Sequence, residues 1–543
     1  MRFLILLFLL FGGMTYAQSL PTKTITDNGQ GTGTTTWHND TIYLLDKGVY
    51  VNSGQVLTIE PGTIVKSNPG IEADASFLCV ARGGRLIAEG TETEPIIFTA
   101  AQDDVSDLND IPFGTRGLWG GLMVLGNATL NTVPGEQAIE GLPTTEPRAI
   151  YGGTDDGDTS GVLKYISIRY AGTDIGAGNE IAGLTLAGAG FGTQVNYIES
   201  ISGANDGFAF YGGLVGTKHL ISAFNADDAF DWDQGFRGKG QFWFGLCDDD
   251  AGDRGIEGDG GTDPENGTPL ARPLISQITL IGRRTANVER AITFRDNSGG
   301  DIYNGVYLNY GQGVDVELLA SGDHSYGQWQ NSQINLRFNL FWGIAGNSGY
   351  DIFNVTPGSG VTVNDSTAAE GAWNNYFALA PNWAMDPGLR NTNYTPMGTL
   401  DPRPTPGGLA ATSALPFSDP WFDIVFHRGA FGADSADFWA SGWSCLSNDG
   451  FFSSELDPPV GTPEPLALGL SIYPNPNQGK FRVDFGEQVN GSVLEVVDLS
   501  GRVILREAVN AMDRIELALD LSPGLYLIRL SGERSGVRRL VIE

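Results

Sequence analysis

Short apolar runs separated by polar corners fill most of the chain, and one such unit returns at a fixed spacing. Residues 204–210 read Ala-Asn-Asp-Gly-Phe-Ala-Phe, and residues 226–232, which lie 22 positions later, read Ala-Asp-Asp-Ala-Phe-Asp-Trp. A second step of the same length moves Asp227-Asp228 onto Asp249-Asp250. Residues 291–294 similarly recur 22 positions later. A fixed period of this length predicts a solenoid in which each repeat forms one coil.

The residue types inside the repeats favour strands over helices. Runs such as 163–170 and 278–281 are rich in β-branched and aromatic residues and end at Gly or another turn residue. With 76 Gly and 27 Pro, the chain has the composition of many tight turns. We therefore predict an all-β fold, a right-handed parallel β-helix that extends over residues 18–445.

Four segments depart from this pattern. Residues 101–116 and 250–273 are acidic and contain Pro and Gly, so we expect both to loop out of the stack. The periodicity fades after about residue 345, which predicts an irregular cap over the open end of the solenoid at about 346–445. Residues 446–467 contain several prolines and are predicted to form a stiff linker.

The last part of the chain has a different period. Residues 468–543 contain predicted strands in which apolar and polar residues alternate. Turns at Ser500-Gly501 and at Ser522-Pro523-Gly524 separate some of these strands. This spacing predicts a small Ig-like β-sandwich.

The N-terminal residues 1–17 have the three parts of a signal peptide. Arg2 gives the positive start, residues 3–11 are apolar, and small residues precede a cleavage site after Ala17. No later apolar run reaches the roughly 18–20 residues that a membrane helix needs, so we expect a secreted chain with no transmembrane segment after cleavage.

Charge and cysteine content narrow the range of partners. The chain carries 32 Lys and Arg against 64 Asp and Glu, a net charge of −32. Such a surface repels nucleic acid and favours divalent cations or basic partners. Three cysteines allow at most one disulfide. Cys79 lies in an apolar strand and is predicted to be core, which leaves Cys247 and Cys445 as the more plausible pair.

Stacked coils bring equivalent acidic residues close together. The predicted ladder consists of the pairs Asn205/Asp206, Asp227/Asp228 and Asp249/Asp250. Neighbouring strands are about 4.8 Å apart, and two charges at that distance repel by ~3–4 kcal/mol at an effective dielectric constant of ~20. The ladder therefore binds cations, holds protons through raised pKa values, or bonds to backbone N–H groups in Asx turns.

The C-terminal sequence resembles a known secretion signal. The residues that carry the resemblance are Tyr473, Pro474, Asn475, Pro476, Gly479, Gly501, Gly524 and Tyr526. They are similar to motifs of the type A C-terminal sorting domain of proteins that the type IX secretion system of Bacteroidetes exports. The resemblance implies that residues 468–543 are the partner of this machinery and that the protein reaches the outer cell surface or the medium.

The body resembles the β-helical proteins that often carry this sorting domain, through residues such as Glu60-Pro61-Gly62 and Trp119-Gly120-Gly121. That family implies no particular activity. Asn205-Asp206-Gly207 followed by Asp227-Asp228 is also similar to the acids of polygalacturonase-like glycoside hydrolases. The Gly-His-Gly of those enzymes is missing, because Gly245-Leu246-Cys247 stands in its place.

Two function classes remain open. The candidate metal ligands, for Ca²⁺, are Asp206, Asp228, Asp231, Asp233, Asp249 and Asp250. The candidate catalytic residues are Asp206, Asp227, Asp228, Arg237 and Arg295, with Arg254 as a further possible base of a lyase. We expect a non-catalytic extracellular binding protein for glycan or calcium, and the alternative is a polysaccharide hydrolase or calcium-dependent lyase. A purely structural role, in which the acids hold the coil corners, also fits the sequence.

Overall fold

A computed structural model describes most of the chain. The described residues are 20–107, 110–176, 179–261, 264–282, 289–344, 352–453, 466–467, 470–498, 502–531 and 534–542. The predicted signal peptide, Gly501 and most of the predicted linker lie outside them. No helix within the described part of the chain is both long and apolar enough to cross a membrane.

The described part of the chain contains forty-one strands and three α-helices. The first strands are β1 (Thr22–Thr26), β2 (Thr35–Trp37), β3 (Ile42–Asp46), β4 (Gly48–Val51), β5 (Val56–Ile59), β6 (Ile64–Ser67), β7 (Phe77–Val80), β8 (Arg85–Glu89), β9 (Ile96–Ala100), β10 (Leu122–Leu125), β11 (Gln137–Ala138), β12 (Ile150–Tyr151), β13 (Gly161–Arg169), β14 (Asp174–Gly176), β15 (Asn179–Glu180) and β16 (Leu184–Ala187). The next are β17 (Gln194–Ile201), β18 (Phe208–Tyr211), β19 (Gly216–Ala223), β20 (Phe230–Asp233), β21 (Lys239–Leu246), β22 (Arg254–Asp259), β23 (Leu274–Ile281), β24 (Arg290–Arg295), β25 (Gly300–Tyr303), β26 (Val306–Leu308), β27 (Gln312–Leu318), β28 (Ile334–Arg337), β29 (Leu340–Trp342), β30 (Phe353–Pro357), β31 (Trp383–Ala384), β32 (Leu389–Asn391) and β33 (Asp401–Pro404). The C-terminal strands are β34 (Leu466–Ala467), β35 (Ser471–Tyr473), β36 (Lys480–Val489), β37 (Ser492–Asp498), β38 (Val503–Val509), β39 (Met512–Ala518), β40 (Gly524–Ser531) and β41 (Arg534–Ile542). The helices are α1 (Ser325–Gln330), α2 (Val363–Leu379) and α3 (Cys445–Asn448).

Parallel coils with three sides form the body. One side is a ten-stranded sheet in the order β4-β7-β10-β16-β18-β20-β22-β24-β27-β30. The other two sides belong to one seventeen-stranded sheet whose long strands bend, so that β13 pairs with β8 through its first half and with β9 through its second half. At the bend, Tyr165, Tyr197 and His219 have φ values of 49°, 57° and 54°. Their rings stack from coil to coil at 4.3 and 4.2 Å.

The core lies inside the coils and is built from in-register apolar ladders. Leu184, Phe208, Phe230, Ile256 and Ile292 occupy equivalent positions on successive strands of the ten-stranded sheet and are all fully buried. Burial of such a side chain stabilises the fold by roughly 1.5–3 kcal/mol. The apolar half of each strand pattern therefore defines which side chains point inward.

The repeat length changes within the ladder, and the predicted third pair is wrong. Phe230 pairs with Ile256, so this coil is four residues longer than the 22-residue coil before it. The register consequently aligns Arg254, and not Asp250, with Asp228. The predicted excursion over 250–273 is also wrong in its first part, because β22 belongs to the sheet. The second predicted repeat is confirmed, since Ile292 pairs with Val314.

The structure divides the predicted cap into two parts. Helix α2 closes the end of the coils, where Trp373 stacks on Phe353 of β30 at 4.6 Å. Residues 385–452, which we call the flank segment, lie instead along one outer side of the coils. Their apolar residues pack against outward-facing side chains such as Phe244 and Leu246. Lateral cover, rather than end cover, is the main role of this part of the chain.

A buried carboxylate anchors the flank segment to the coils. Glu199 of β17 is fully buried and accepts the backbone N–H groups of Cys445 and Leu446, at 2.7 and 3.2 Å, at the start of α3. The hydroxyl of Ser167 donates to the same side chain at 2.8 Å. These donors satisfy a charge that burial alone would make costly.

All three cysteines are buried and none forms a disulfide, so the predicted pairing of Cys247 with Cys445 is wrong. Cys247 packs in the coil core near Tyr310, whereas Cys445 lies in the flank segment and donates to Asp449. The two thiols therefore belong to different apolar clusters. Cys79 is buried as predicted.

The C-terminal part is a sandwich whose strands pair antiparallel, except that β34 pairs parallel with β41. A five-stranded sheet, β34-β41-β40-β37-β38, faces a three-stranded sheet, β35-β36-β39. Its first strand starts at Leu466, two residues before the predicted boundary. The side chain of Asn475 fixes the motif segment to the last strand, because it accepts from Val541 N–H at 2.8 Å and donates to the Arg539 carbonyl at 2.7 Å.

Removal of the anchoring carboxylate tests this account of the flank segment. We expect Glu199→Ala to leave the N–H groups at the start of α3 unsatisfied and to lower the free energy of unfolding by about 3 kcal/mol. Proteolysis should then cut the flank segment first, which mass spectrometry of early fragments would detect. Glu89→Ala, on the exposed end of β8, is the control. Equal protease resistance of the two variants would contradict the anchoring role.

Candidate functional site

Two columns of polar side chains stand on the outer surface of the ten-stranded sheet. Alternate strand residues face outward, so Asp231, Glu257, Thr293 and Asp315 follow one another from strand to strand. The second column consists of Asp233, Asp259, Arg295 and Glu317. We call this surface, together with the adjoining corner at Asp206, Asp227, Asp228 and Arg254, the acidic face.

Three carboxylates meet at the corner that precedes β18 and β20. One oxygen atom each from Asp206, Asp227 and Asp228 lies within 4.8 Å of the others. Asp206 is 9% exposed and Asp228 only 2%. The sequence therefore predicted correctly that the first two rungs of the ladder come together.

Backbone hydrogen bonds between coils fix this corner. Asp206 Oδ1 accepts the N–H of Asp228 at 3.0 Å, and Asp228 Oδ1 accepts the N–H of Arg254 at 2.7 Å. Each acid thus bonds to the backbone of the coil that follows it, whereas the structural alternative predicted Asx turns within each corner. The bonds engage one oxygen of each of these two carboxylates.

The surroundings of the corner disfavour the charged form of the Asp206 and Asp228 side chains. Burial raises the pKa of Asp206 well above its ordinary value, and the neighbouring Asp227 adds to the effect. Burial likewise raises the pKa of Asp228, followed by the charges of Asp206 and Glu257. Arg254, whose Nη1 lies 3.5 Å from Asp228 Oδ2, compensates only in part. The corner therefore needs protons or a cation to be stable.

The outer columns have the same character. Burial, followed by the charge of Asp259, raises the pKa of Asp233 to about 7 and that of Glu257 to about 7. Asp231 also has a raised pKa, from burial first and then from Asp206. Asp233 and Glu257 therefore titrate near neutral pH instead of near pH 4.

Two arginines balance part of this charge. Arg254 Nη1 lies 3.0 Å from Glu257 Oε1 and 2.6 Å from Asp253 Oδ2. Arg295 donates to both oxygens of Asp259, from Nε at 2.8 Å and from Nη2 at 2.9 Å. Burial works to lower the pKa of both guanidinium groups, but the surrounding carboxylates outweigh it and raise the pKa. Both side chains therefore remain protonated, which disfavours either one as a general base.

Three predicted site residues lie elsewhere. Arg237 is held by the carbonyl oxygen of Gly235 at 3.2 Å and lies 3.5 Å from Asp156. Asp250 faces Arg116 at 3.6 Å. Asp249 lines a cavity beside the flank segment. The longer third coil explains the positions of Asp249 and Asp250, because it moves both acids out of register with Asp228.

The sequence analysis missed Glu257, Asp259, Thr293, Asp315 and Glu317. The signal was an acid at every second position in Asp231-Trp232-Asp233 and again in Glu257-Gly258-Asp259. Thr293 is 5% exposed, and its hydroxyl has no hydrogen-bond partner among the described residues. An unpaired buried hydroxyl between two carboxylates marks a place where a ligand or water can bind.

A second cluster of three carboxylates lies further along the same sheet. Oxygen atoms of Glu265, Asp296 and Glu317 are within 4.8 Å of one another, and all three side chains are half-buried. Glu317 accepts the N–H of Asp296 at 3.1 Å. Burial, then the charge of Asp296, raises the pKa of Glu317 to about 7.

Comparison with known families agrees with this architecture. Residues 29–384 match the model of the pectate-lyase like beta helix domain, which covers more than half of the chain, and the protein therefore belongs to this family. Residues 471–543 match the secretion system C-terminal sorting domain. The protein is thus a β-helix protein that the type IX secretion system exports to the cell surface or the extracellular space.

Similarity to individual proteins is low. The crystal structure of the Dettilon tailspike protein is similar over 60% of this chain and 62% of the tailspike chain, with 9% sequence identity and a TM-score of 0.21. The chain thus spans about three fifths of that tailspike. No curated protein sequence matches the chain.

The pH dependence of stability tests the electrostatics of the acidic face. The pKa values of Asp233 and Glu257 are higher in the folded chain, which therefore binds more protons than the unfolded chain. Their stabilising contribution is complete below about pH 4 and is lost as the pH rises through about 7, with a loss on the order of 2–4 kcal/mol per group.

We expect the double variant Asp233→Asn/Glu257→Gln to remove much of this slope and to melt above the wild type at pH 7.5. Thermal unfolding of the full chain from pH 4 to 8 measures it, without added divalent cations. Asp323→Asn, an exposed acid elsewhere, is the control. Parallel pH profiles for the double variant and the wild type would show that the pKa values of Asp233 and Glu257 are not raised in the folded chain.

Proposed function

We propose that the protein is an extracellular binding module whose acidic face takes up a divalent cation. The observation that carries this proposal is the excess of carboxylates over guanidinium groups around the buried Asp206 and Asp228 and the exposed Asp227. A divalent cation removes the repulsion that Arg254 and Arg295 leave uncompensated. The same acids would otherwise have to hold protons at neutral pH.

The geometry of the corner suits Ca²⁺. This ion takes six to eight oxygen ligands at roughly 2.3–2.6 Å, so two of its ligands lie up to about 5 Å apart. The 4.8 Å limit on the three carboxylate oxygens is within that range. Asp231 and Glu257 stand beside the corner and can supply further oxygens. Extracellular calcium modules work at roughly 10⁻⁴–10⁻³ M, a concentration range available outside the cell.

A bound cation would also give the face a partner. An ion that keeps open coordination positions can bind the hydroxyl and carboxylate oxygens of an extracellular glycan. Arg295, whose side chain is 42% exposed, adds a positively charged group to the same surface. We therefore propose glycan as the partner and the cation as its bridge to the protein.

A polysaccharide-cleaving enzyme is the second candidate. It is favoured by the pKa values of Asp233 and Glu257, both about 7, because a general acid or base is most effective when its pKa lies near the working pH. In that function the two arginines would position an anionic substrate, since their raised pKa values disfavour proton abstraction.

Thermal melting with Ca²⁺ tests the cation proposal. A ligand that binds only the folded chain stabilises it by about 2.7 kcal/mol at a hundredfold excess over Kd. We expect Ca²⁺ to raise the melting temperature at pH 7.5, chelator to reverse the shift, and Asp228→Asn to reduce it strongly. Asp250→Asn is the matched control, because Asp250 is exposed and lies outside the corner. An equal shift in both variants would place the ion elsewhere.

The two candidate functions differ in turnover. The full chain should bind acidic polysaccharides in the presence of Ca²⁺ without shortening them, as size-exclusion chromatography of the recovered polymer would show. Loss of polymer length that disappears in Glu257→Gln, while Ca²⁺ still stabilises that variant, would establish the enzyme instead.

Deletion of the sandwich tests the export route. Removal of residues 466–543, which include the first strand of the sandwich, should abolish release to the surface or medium and leave the body in the periplasm. Immunoblots of cell fractions measure the distribution. A truncation that removes only residues 540–543 distinguishes loss of the end of the last strand from loss of the domain. Normal export of the longer truncation would contradict the assignment.

A further inference from the structure

A cavity lies between the flank segment and the coil corners that it covers. Its volume is about 220 Å³, whereas a single water molecule needs roughly 10–15 Å³ measured in the same way. Its walls come from the loop at 111–113, from the corners of three successive coils and from residues 397–451 of the flank segment. The cavity shares no lining residue with the acidic face.

Aromatic rings form much of the wall. Phe113 meets Phe224 at 5.1 Å and Phe451 at 5.9 Å between ring centroids, and Tyr170 lines the same space. Tyr170 and Phe224 are the corner residues of two coils, with φ values of 59° and 58°, and the coil turns there. Phe113 is 58% exposed, which leaves a large apolar ring at the rim of the cavity.

One carboxylate lies among these rings. Asp449 accepts the thiol of Cys445 at 3.0 Å through Oδ2, and among the described residues this is its one side-chain hydrogen bond. Burial holds the pKa of Cys445 well above its ordinary value, so the thiol keeps its proton. The charge of the buried Arg169 guanidinium also reaches Asp449, but the same guanidinium interacts with Glu199 and Asp103. No Lys, Arg or His is among the described lining residues.

We propose that this cavity binds a small organic cation of the quaternary-ammonium class. The faces of aromatic rings attract a cation through their quadrupole, and the attraction is strongest when the ion is poorly hydrated. The carboxylate of Asp449 supplies the counter-charge. An alkylated ammonium ion needs no hydrogen-bond acceptors around it and tolerates apolar walls, whereas Ca²⁺ requires six or more oxygens. The inference is independent of the cation site proposed for the acidic face.

Isothermal titration of the full chain with choline chloride at constant ionic strength tests the proposal. We expect choline to bind at least about tenfold more tightly than its neutral isostere 3,3-dimethyl-1-butanol. Phe113→Ala and Asp449→Asn should each weaken choline binding about five- to tenfold. The matched controls are Phe191→Ala and Asp323→Asn, which change an exposed ring and an exposed acid outside the cavity.

Equal affinity for choline and the neutral isostere would overturn the proposal and leave an apolar pocket. Absence of choline binding, or binding that survives both cavity variants, would also overturn it. Phe113→Ala keeps the test valid if Asp449→Asn loosens the flank segment, because the Phe113 ring lies at the surface. Flotation with phosphatidylcholine vesicles then separates a lipid headgroup from a free solute as the source of the bound ion.

Discussion

In-register parallel stacking is the constraint on which the rest of this structure depends. Each coil places its side chains about 4.8 Å from the equivalent side chains of the next coil. Inside the coils the result is favourable, since Phe208 stacks on Phe230 at 5.5 Å. Outside, the same geometry forces Asp231 and Glu257 into adjacent positions on one surface. The apolar ladder and the acid ladder are therefore two consequences of one geometry.

The sequence predicts the fold because a repeat is visible wherever two coils have equal length. Residues 204–210 and 226–232 carry the same types of residue at the same spacing, and the structure pairs them. The third coil is four residues longer, and β22 has Gly258 at an inward-facing position where its neighbours have Trp232 and Phe294. Without an apolar residue there, the strand resembles a loop. Glu257 and Asp259, the two acids of β22 on the acidic face, were missed for this reason.

The position of the flank segment could not be predicted from the sequence for a different physical reason. Its position depends on contacts between residues far apart in sequence, such as Glu199 with Cys445, which are 246 residues apart. Periodicity reports neighbours one coil away and contains no information about such pairs. The raised pKa values of the acidic face also could not be predicted from the sequence. They depend on how deeply each carboxylate is buried and on which carboxylates Arg254 and Arg295 contact.

The flank segment alters how the solenoid is able to unfold. A stack in which each coil contacts only its neighbours behaves as a one-dimensional chain of units and frays from its ends. The flank segment contacts strands from β17 to β29 and so links many units at once. Those coils can open only after the segment has detached. Spontaneous opening in this region is then a single concerted event with a high barrier, which favours long survival outside the cell, where no chaperone is available to refold the chain.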